Sequence, residues 1–281
     1  MSKRLTIRDI QKMKTDGKKI VMLTAYDAFS ARVSEAAGVP MLLVGDSLGM
    51  VVQGRDSTIP VTMEHMIYHS EIVTRITERP LVVGDMPFMS YSISAEQALE
   101  NAARLMQEAG VQSVKLEGGQ HVAPVIERIV QSGIPVMAHI GLTPQSVHQF
   151  GGFRVQGRQV EEARSLIKDA EAVQEAGAFA VVLELVPAEL SKLVSERLHI
   201  PTIGIGAGPD CDGQVQVFHD LIALFAAFSP KHAKIYANAG EIIQTAIAQY
   251  LSEVESGQFP TMDNSSSMSE EVLKALMEEM A

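Results

Sequence analysis

The sequence predicts an α/β protein folded as a (β/α)8 TIM barrel, and three observations point to it. Runs of four to six apolar residues are separated by amphipathic stretches of helical length, as expected of parallel strands buried on both faces. Several helical stretches end in alanine-glycine before an apolar residue: AAGV from Ala36, EAGV from Glu108 and EAGA from Glu175. A glycine just past a helix accepts the left-handed conformation that stops it before the next strand. Acidic residues close successive runs, MLLVGDS at Asp46, LVVGDM at Asp85, VKLEGG at Glu117 and AVVLELV at Glu184. In a closed parallel barrel the C-terminal strand ends meet at one mouth, so these carboxylates are expected to face a common cavity. A doubly wound open sheet is the alternative that the same alternation admits.

In chain order, the first strand is expected over Ile20–Ala25, followed by a helix over Asp27–Ala37. The second strand, Met41–Val44, runs into a long connection, Gly45–Val61, before a helix over Thr62–Thr77. Strand Leu81–Gly84 precedes helix Ala95–Ala109, and strand Ser113–Leu116 precedes helix Val122–Gln131. The fifth strand, Pro135–His139, leads into a second long connection, Gly141–Gln159, and helix Glu161–Ala176. Strand Ala180–Glu184, helix Ala188–Arg197, strand Thr202–Ile205 and strand Val215–His219 complete the expected set of eight. Connections as long as the two glycine-containing ones are uncommon inside compact domains and are expected to act as lids or substrate clamps.

With 281 residues and 46% apolar content the chain can fill one barrel-sized core, expected over residues 1–262. The low-complexity segment DNSSSMSEE, Asp263–Glu271, sets off a tail over 263–281, whose stretch Val272–Met280 reads as a helix capped by Ser269 and as an assembly element. A formal net charge of −11 argues against nucleic acid, which needs clustered Lys and Arg. The single cysteine, Cys211, forms no intrachain disulfide, fits a reducing compartment and reads as an ordinary loop residue. No segment has the apolar length of a signal peptide or a membrane span, so a soluble cytoplasmic protein is expected.

Asp46 and Asp85, each just beyond a strand and after a glycine, have the oxygen-donor character that a hard cation such as Mg2+ prefers. Lys115 and Glu117 are two apart on one strand, so both are expected to point into the barrel while Leu116 faces the helices. Lys115 there suits a substrate carboxylate and Glu117 a metal-bound water; a buried ion pair is the structural alternative. His139 is placed to hydrogen-bond substrate, and Glu184, flanked by Leu183 and Leu185, to serve as a general base. The loop GIGAGPD, Gly204–Asp210, suits close backbone packing or anion binding, but it is not a dinucleotide fingerprint because it does not follow the first strand.

The phrases LTAYD, VGDSLGMVVQGRDSTIPVT, DMPFMSY, VKLEGG, HIGLTPQSVHQFGGFRVQGR, LELVP and IGIGAG, in this order, resemble the ketopantoate hydroxymethyltransferase (3-methyl-2-oxobutanoate hydroxymethyltransferase) family from about Thr6 to Pro260. The resemblance is looser over His219–Gly240. It implies a Mg2+-dependent barrel related to phosphoenolpyruvate mutase and isocitrate lyase, acting in pantothenate biosynthesis. The implied reaction transfers a hydroxymethyl (one-carbon) unit from 5,10-methylenetetrahydrofolate to 3-methyl-2-oxobutanoate through a Mg-chelated enolate, giving 2-dehydropantoate and tetrahydrofolate. By motif match, Asp46, Asp85 and Glu117 are the implied metal ligands; Asp46, Ser47, Asp85, Lys115 and His139 the implied substrate contacts; and Glu184 the implied proton acceptor. A homodecamer is the implied assembly. A lyase of the same superfamily would be expected to carry a catalytic cysteine in a K-[KR]-C-G-H-type loop, whereas Cys211 lies in PDCDG.

Overall fold

A computed structural model describes residues 3–225 and 230–281. Eight parallel strands close into a barrel in sequence order: β1 (Ile20–Thr24), β2 (Met41–Val44), β3 (Leu81–Asp85), β4 (Ser113–Glu117), β5 (Val136–Gly141), β6 (Ala180–Glu184), β7 (Thr202–Ile205) and β8 (Gly213–Gln216). The first seven lie where the apolar runs put them, with ends within two residues. The closed order β1 to β8 excludes the open-sheet alternative.

Strand parity divides the core in two. Ile20, Met22, Met41, Leu43, Leu81, Val83, Met137, Ala180, Val182, Ile203 and Val215 pack together inside the barrel. Their sequence neighbours, among them Leu42, Val44, Val82, Val114, Leu116, Ala138, Val181 and Leu183, pack outward with Leu105, Ile126, Ile129, Leu166 and Val194 from the surrounding helices. This is the two-residue period of an extended chain buried on both faces.

Two departures from the sequence reading concern the ends of the barrel. The eighth strand is Gly213–Gln216, not Val215–His219, and Phe218 opens a short helix, Phe218–Leu221, with its N–H donated to Thr24 Oγ1 at 2.8 Å. Gly213 pairs with Ile20, and a Cβ there would lie 2.3 Å from the Ile20 carbonyl oxygen, so the strand must start on a residue without one. Between β7 and β8 the chain crosses without a helix, so the strand-helix alternation is not complete around the barrel. A helix the sequence reading did not anticipate, Ile7–Thr15, is secured by a Thr6/Asp9 capping box. Its Ile10 is fully buried in the interior cluster, where Leu5, Ile7 and Met13 also pack beside the first residues of the strands. It therefore plugs the N-terminal mouth and leaves the C-terminal mouth as the open end.

The chain divides into two compact units. The barrel and its helices through Leu221 belong to one; the other contains helices Ala239–Glu255 and Glu270–Glu279. The latter helix is capped as expected by Ser269, whose Oγ accepts the Val272 N–H, and it starts two residues earlier than the sequence suggested. No helix among the described residues is long and apolar enough to cross a membrane.

Candidate active site

The apolar interior ends abruptly at the C-terminal mouth. On β3, Leu81 and Val83 face inward, so Asp85 does too; on β4 the same parity turns Lys115 and Glu117 inward while Leu116 joins the outer core. On β5 and β6 it brings in His139 and Glu184. Parallel register then sets Asp85 beside Lys115, Glu117 beside His139, and Gly141 beside Glu184. Asp46 lies in the turn after β2, where its backbone N–H donates to Asp85 Oδ2 at 3.2 Å. Gly45 makes that turn tight, because a Cβ there would come within 2.8 Å of Ser47 Oγ. Ser47 Oγ in turn shares a 2.8 Å hydrogen bond with the Tyr26 hydroxyl.

These groups form one connected cluster. Lys115 Nζ lies 2.6 Å from Asp85 Oδ1 and 3.4 Å from His139 Nδ1. His139 stands between two carboxylates, with Nδ1 3.4 Å from Glu117 Oε1 and Nε2 3.2 Å from Glu184 Oε2. Asp46, Asp85, Lys115, Glu117 and His139 are each no more than 4% exposed, so their charges interact with little screening by water. Burial, then the charges of Asp85 and Glu117, hold the Asp46 carboxyl well above the usual carboxylate range. Burial also raises Asp85, against the opposing pull of Lys115. Burial works to discharge Lys115, but Asp85, Glu117 and Asp46 outweigh it and raise its pKa. Burial and Lys115 likewise oppose the charge on His139, yet Glu117 and Glu184 prevail and push it up to about 9, which makes it an imidazolium at neutral pH.

Two residues that sequence reasoning did not single out complete the cluster. Gln145 is buried in the connection after β5; its Nε2 donates to Asp46 Oδ2 at 2.8 Å and to the Met86 carbonyl at 3.0 Å. Its backbone N–H donates to Glu117 Oε2 at 3.0 Å. Tyr91 accepts the Glu117 backbone N–H at 3.2 Å and donates its hydroxyl to Gln145 Oε1 at 2.7 Å. Both lie in phrases that carried the family resemblance, but neutral side chains in loops give no charge signal of their own.

Four carboxylates converge here against Lys115 and His139, and the raised Asp46 marks a local shortage of positive charge. Oxygen donors with that deficit fit a hard divalent cation. Among the described residues no three His, Cys, Asp or Glu groups form a ready-made metal cage; Mg2+ is also commonly held by one or two carboxylates with water and substrate oxygens. Asp46 and Asp85 are the pair so placed; Glu117 is turned to His139 and the Gln145 N–H.

A family model described as ketopantoate hydroxymethyltransferase matches residues 4–262. The chain belongs to that family. Among curated relatives, the 3-methyl-2-oxobutanoate hydroxymethyltransferase of Chloroflexus aurantiacus is 58% identical over 274 residues, covering 98% of this chain and 97% of its own. The enzyme of that name from Gluconacetobacter diazotrophicus is 57% identical, covering 97% and 99%. Among solved structures, 2,3-dimethylmalate lyase, a member of the phosphoenolpyruvate mutase/isocitrate lyase superfamily, aligns with a TM-score of 0.59 at 17% identity, covering 98% of this chain and 97% of its own; it shares the fold.

In this ketopantoate hydroxymethyltransferase family member, Asp46, Ser47, Asp85, Lys115, Glu117, His139 and Glu184 all lie at or just beyond the C-terminal ends of β2 to β6. The GIGAGPD loop packs closely: a Cβ on Gly206 would meet Leu185 Cδ2 at 2.6 Å, and one on Gly208 would meet Ala188 Cβ at 2.4 Å. Its glycines thus serve the approach of the chain after β6. Cys211 is buried in the outer core, where burial pushes its thiol pKa up and lowers its reactivity.

Proposed function

We propose that the chain transfers a hydroxymethyl unit from 5,10-methylenetetrahydrofolate to 3-methyl-2-oxobutanoate, giving 2-dehydropantoate and tetrahydrofolate. The observation that carries the proposal is the juxtaposition of a cation-seeking acid pair, Asp46 and Asp85, with a separate carboxylate, Glu184, held at 3.2 Å by a buried imidazole. A 2-oxo acid presents two oxygens for a metal site and a weakly acidic C3–H for a base, and these are the two halves of the cluster. Asp46 and Asp85 would hold Mg2+, with Glu117 at the edge of its site. When bound, the ion supplies electrophilic stabilisation of charge developing on the keto oxygen.

The remaining steps belong to the chain's own side chains. Lys115 neutralises the substrate carboxylate, and the Ser47 hydroxyl, fixed by Tyr26, adds a hydrogen bond. Glu184 takes the C3 proton, and His139 Nε2 lies beside its carboxylate at 3.2 Å. One carbon–nitrogen bond of the donor's methylene bridge opens, the substrate enolate carbon attacks the methylene carbon, and one water then supplies the hydroxyl as the second carbon–nitrogen bond breaks, its other proton and the proton taken from C3 going to the two nitrogens of the released tetrahydrofolate. The connections after β2 and β5 would keep water from the reactive donor until the new carbon–carbon bond has formed. We extend the proposal to a cytoplasmic homo-oligomer of the decameric kind, which the resemblance to the family implies.

Proton NMR of 3-methyl-2-oxobutanoate in deuterated buffer, with protein and Mg2+ but no folate, tests the first half. EDTA-sensitive loss of the C3 signal is the expected result. Glu184→Gln should still bind the keto acid but abolish this exchange; undiminished exchange removes Glu184 as the base. Addition of methylenetetrahydrofolate to the unsubstituted protein should yield 2-dehydropantoate, and absence of that product overturns the assignment.

A further inference from the structure

The acids of the site do not stand alone on the barrel rim. A directional chain of hydrogen bonds runs through them: the Glu117 backbone N–H donates to the Tyr91 oxygen, the Tyr91 hydroxyl to Gln145 Oε1, and Gln145 Nε2 to Asp46 Oδ2 and to the Met86 carbonyl. Each link fixes the next. Because Met86 offers only a carbonyl and Tyr91 has a donor to place, the Gln145 amide has one orientation that satisfies its neighbours, with its NH2 toward Asp46. That bond occupies one oxygen of Asp46 and leaves the other, Oδ1, for a ligand.

Gln145 also rides on the long connection after β5, in the short turn Pro144–Ser146. The start of this connection is tied to the acids at two further points. The Leu142 N–H donates to the Glu184 carbonyl at 2.8 Å, and the Gln145 N–H to Glu117 Oε2 at 3.0 Å. The carboxylates of Asp46 and Glu117 and the backbone of Glu184 thus touch one loop segment, and a displacement of that segment would withdraw the donor from Asp46.

We propose that Gln145 is a positioning residue for Asp46, and that seating of the loop after β5 and cation binding at the acid pair are therefore coupled. The inference rests on the reading of Asp46 and Asp85 as the cation's ligands. Coupling of this kind is reciprocal: a seated loop favours the ion, and the ion favours a seated loop. Removal of a group that orients a metal ligand typically lowers metal affinity by about 10- to 100-fold.

The test uses Mn2+ as the probe, with no substrate. Its affinity is read by electron paramagnetic resonance, and amide hydrogen exchange is followed over residues 142–157 by mass spectrometry. For the unsubstituted protein, Mn2+ should bind and slow exchange in this segment. Gln145→Ala should weaken Mn2+ by about 10-fold or more and abolish the ion-dependent slowing, with the far-ultraviolet spectrum unchanged. Tyr91→Phe fills the same space and serves where Gln145→Ala does not fold; it should weaken both effects, because the amide loses the partner that orients it. Unchanged Mn2+ affinity in a folded Gln145→Ala protein overturns the positioning role. Ion-independent exchange over 142–157 in the unsubstituted protein overturns the coupling. A failure of the unsubstituted protein to bind Mn2+ overturns the cation reading itself, and this inference with it.

Discussion

Replacement of Lys115 by methionine asks how much of the cluster's stability hangs on one buried cation. Lys115 Nζ lies 2.6 Å from Asp85 Oδ1, and both side chains are under 5% exposed. At the effective dielectric that reproduces measured pairs, such a contact has a gross attraction of about 6 kcal/mol. Methionine spares the cost of burying the ammonium, several kcal/mol per ion, but leaves Asp85, Asp46 and Glu117 facing one another without it. The net loss expected for breaking a buried pair from one side is about 3–5 kcal/mol at neutral pH. The sign of its pH dependence follows from the carboxyls. Asp46 and Asp85 already have folded pKa values raised above their unfolded ones, and removal of Lys115 raises them further. Carboxyls of that kind contribute nothing below their unfolded pKa and destabilise the fold progressively as pH rises from there to their folded pKa. Urea unfolding of the metal-free proteins at about pH 5 and about pH 8 should therefore show the larger penalty at the higher pH. A penalty under about 1 kcal/mol at pH 8, or one larger at pH 5, would refute the reasoning, since it would mean that Lys115 does not offset the acids.

Ile10→Ala should cost about 2–5 kcal/mol in urea unfolding, because Ile10 is fully buried at the plugged end of the barrel, while C3-proton exchange per folded molecule stays unchanged. Gly141→Ala should reduce that exchange at least tenfold, about 1.4 kcal/mol in barrier: Gly141 has φ +93°, and a Cβ there would lie 2.3 Å from the Glu184 carbonyl oxygen, so the base must move. Exchange at the unsubstituted rate would show that the strand end yields without disturbing Glu184. His139, raised to about 9, contributes stability that is fully present below its unfolded pKa of about 6.5 and is lost as pH rises through 9. Metal-free protein should lose on the order of 3 kcal/mol across that window; His139→Gln should show a flatter profile in the same urea titration.

The barrel was legible because its strands are buried on both faces and bounded by turn residues. Met41–Val44, Ala180–Glu184 and Thr202–Ile205 begin and end where their apolar runs do. The eighth strand was misplaced because VQVFH alternates like a strand, and its actual start depends on the close approach of Ile20 to Gly213, a contact across the whole length of the domain. Helix Ile7–Thr15 was missed because its mostly polar sequence is anchored by few apolar residues, with only Ile10 fully engaged. Site acids announce themselves by being charged at the ends of apolar strands, where charge is costly. Gln145 and Tyr91 carry no such cost and reveal their role only through the atoms they touch.

The placement of charge along the barrel axis argues for function over stability. Below the mouth, the inward positions of β2 to β6 are filled mainly by Met41, Leu43, Leu81, Val83, Met137 and Val182, which gain from burial. One step further along the same strands the inward positions become Asp85, Lys115, Glu117, His139 and Glu184, each of which must be compensated by its neighbours. Apolar residues in that layer would cost less. The compensation is also incomplete, since Asp46 stays short of positive charge even with Lys115 and His139 present. A cluster built for stability alone would end in balance; an acid pair left unbalanced at the open mouth supports the proposal that the site receives a cation and an anionic substrate together.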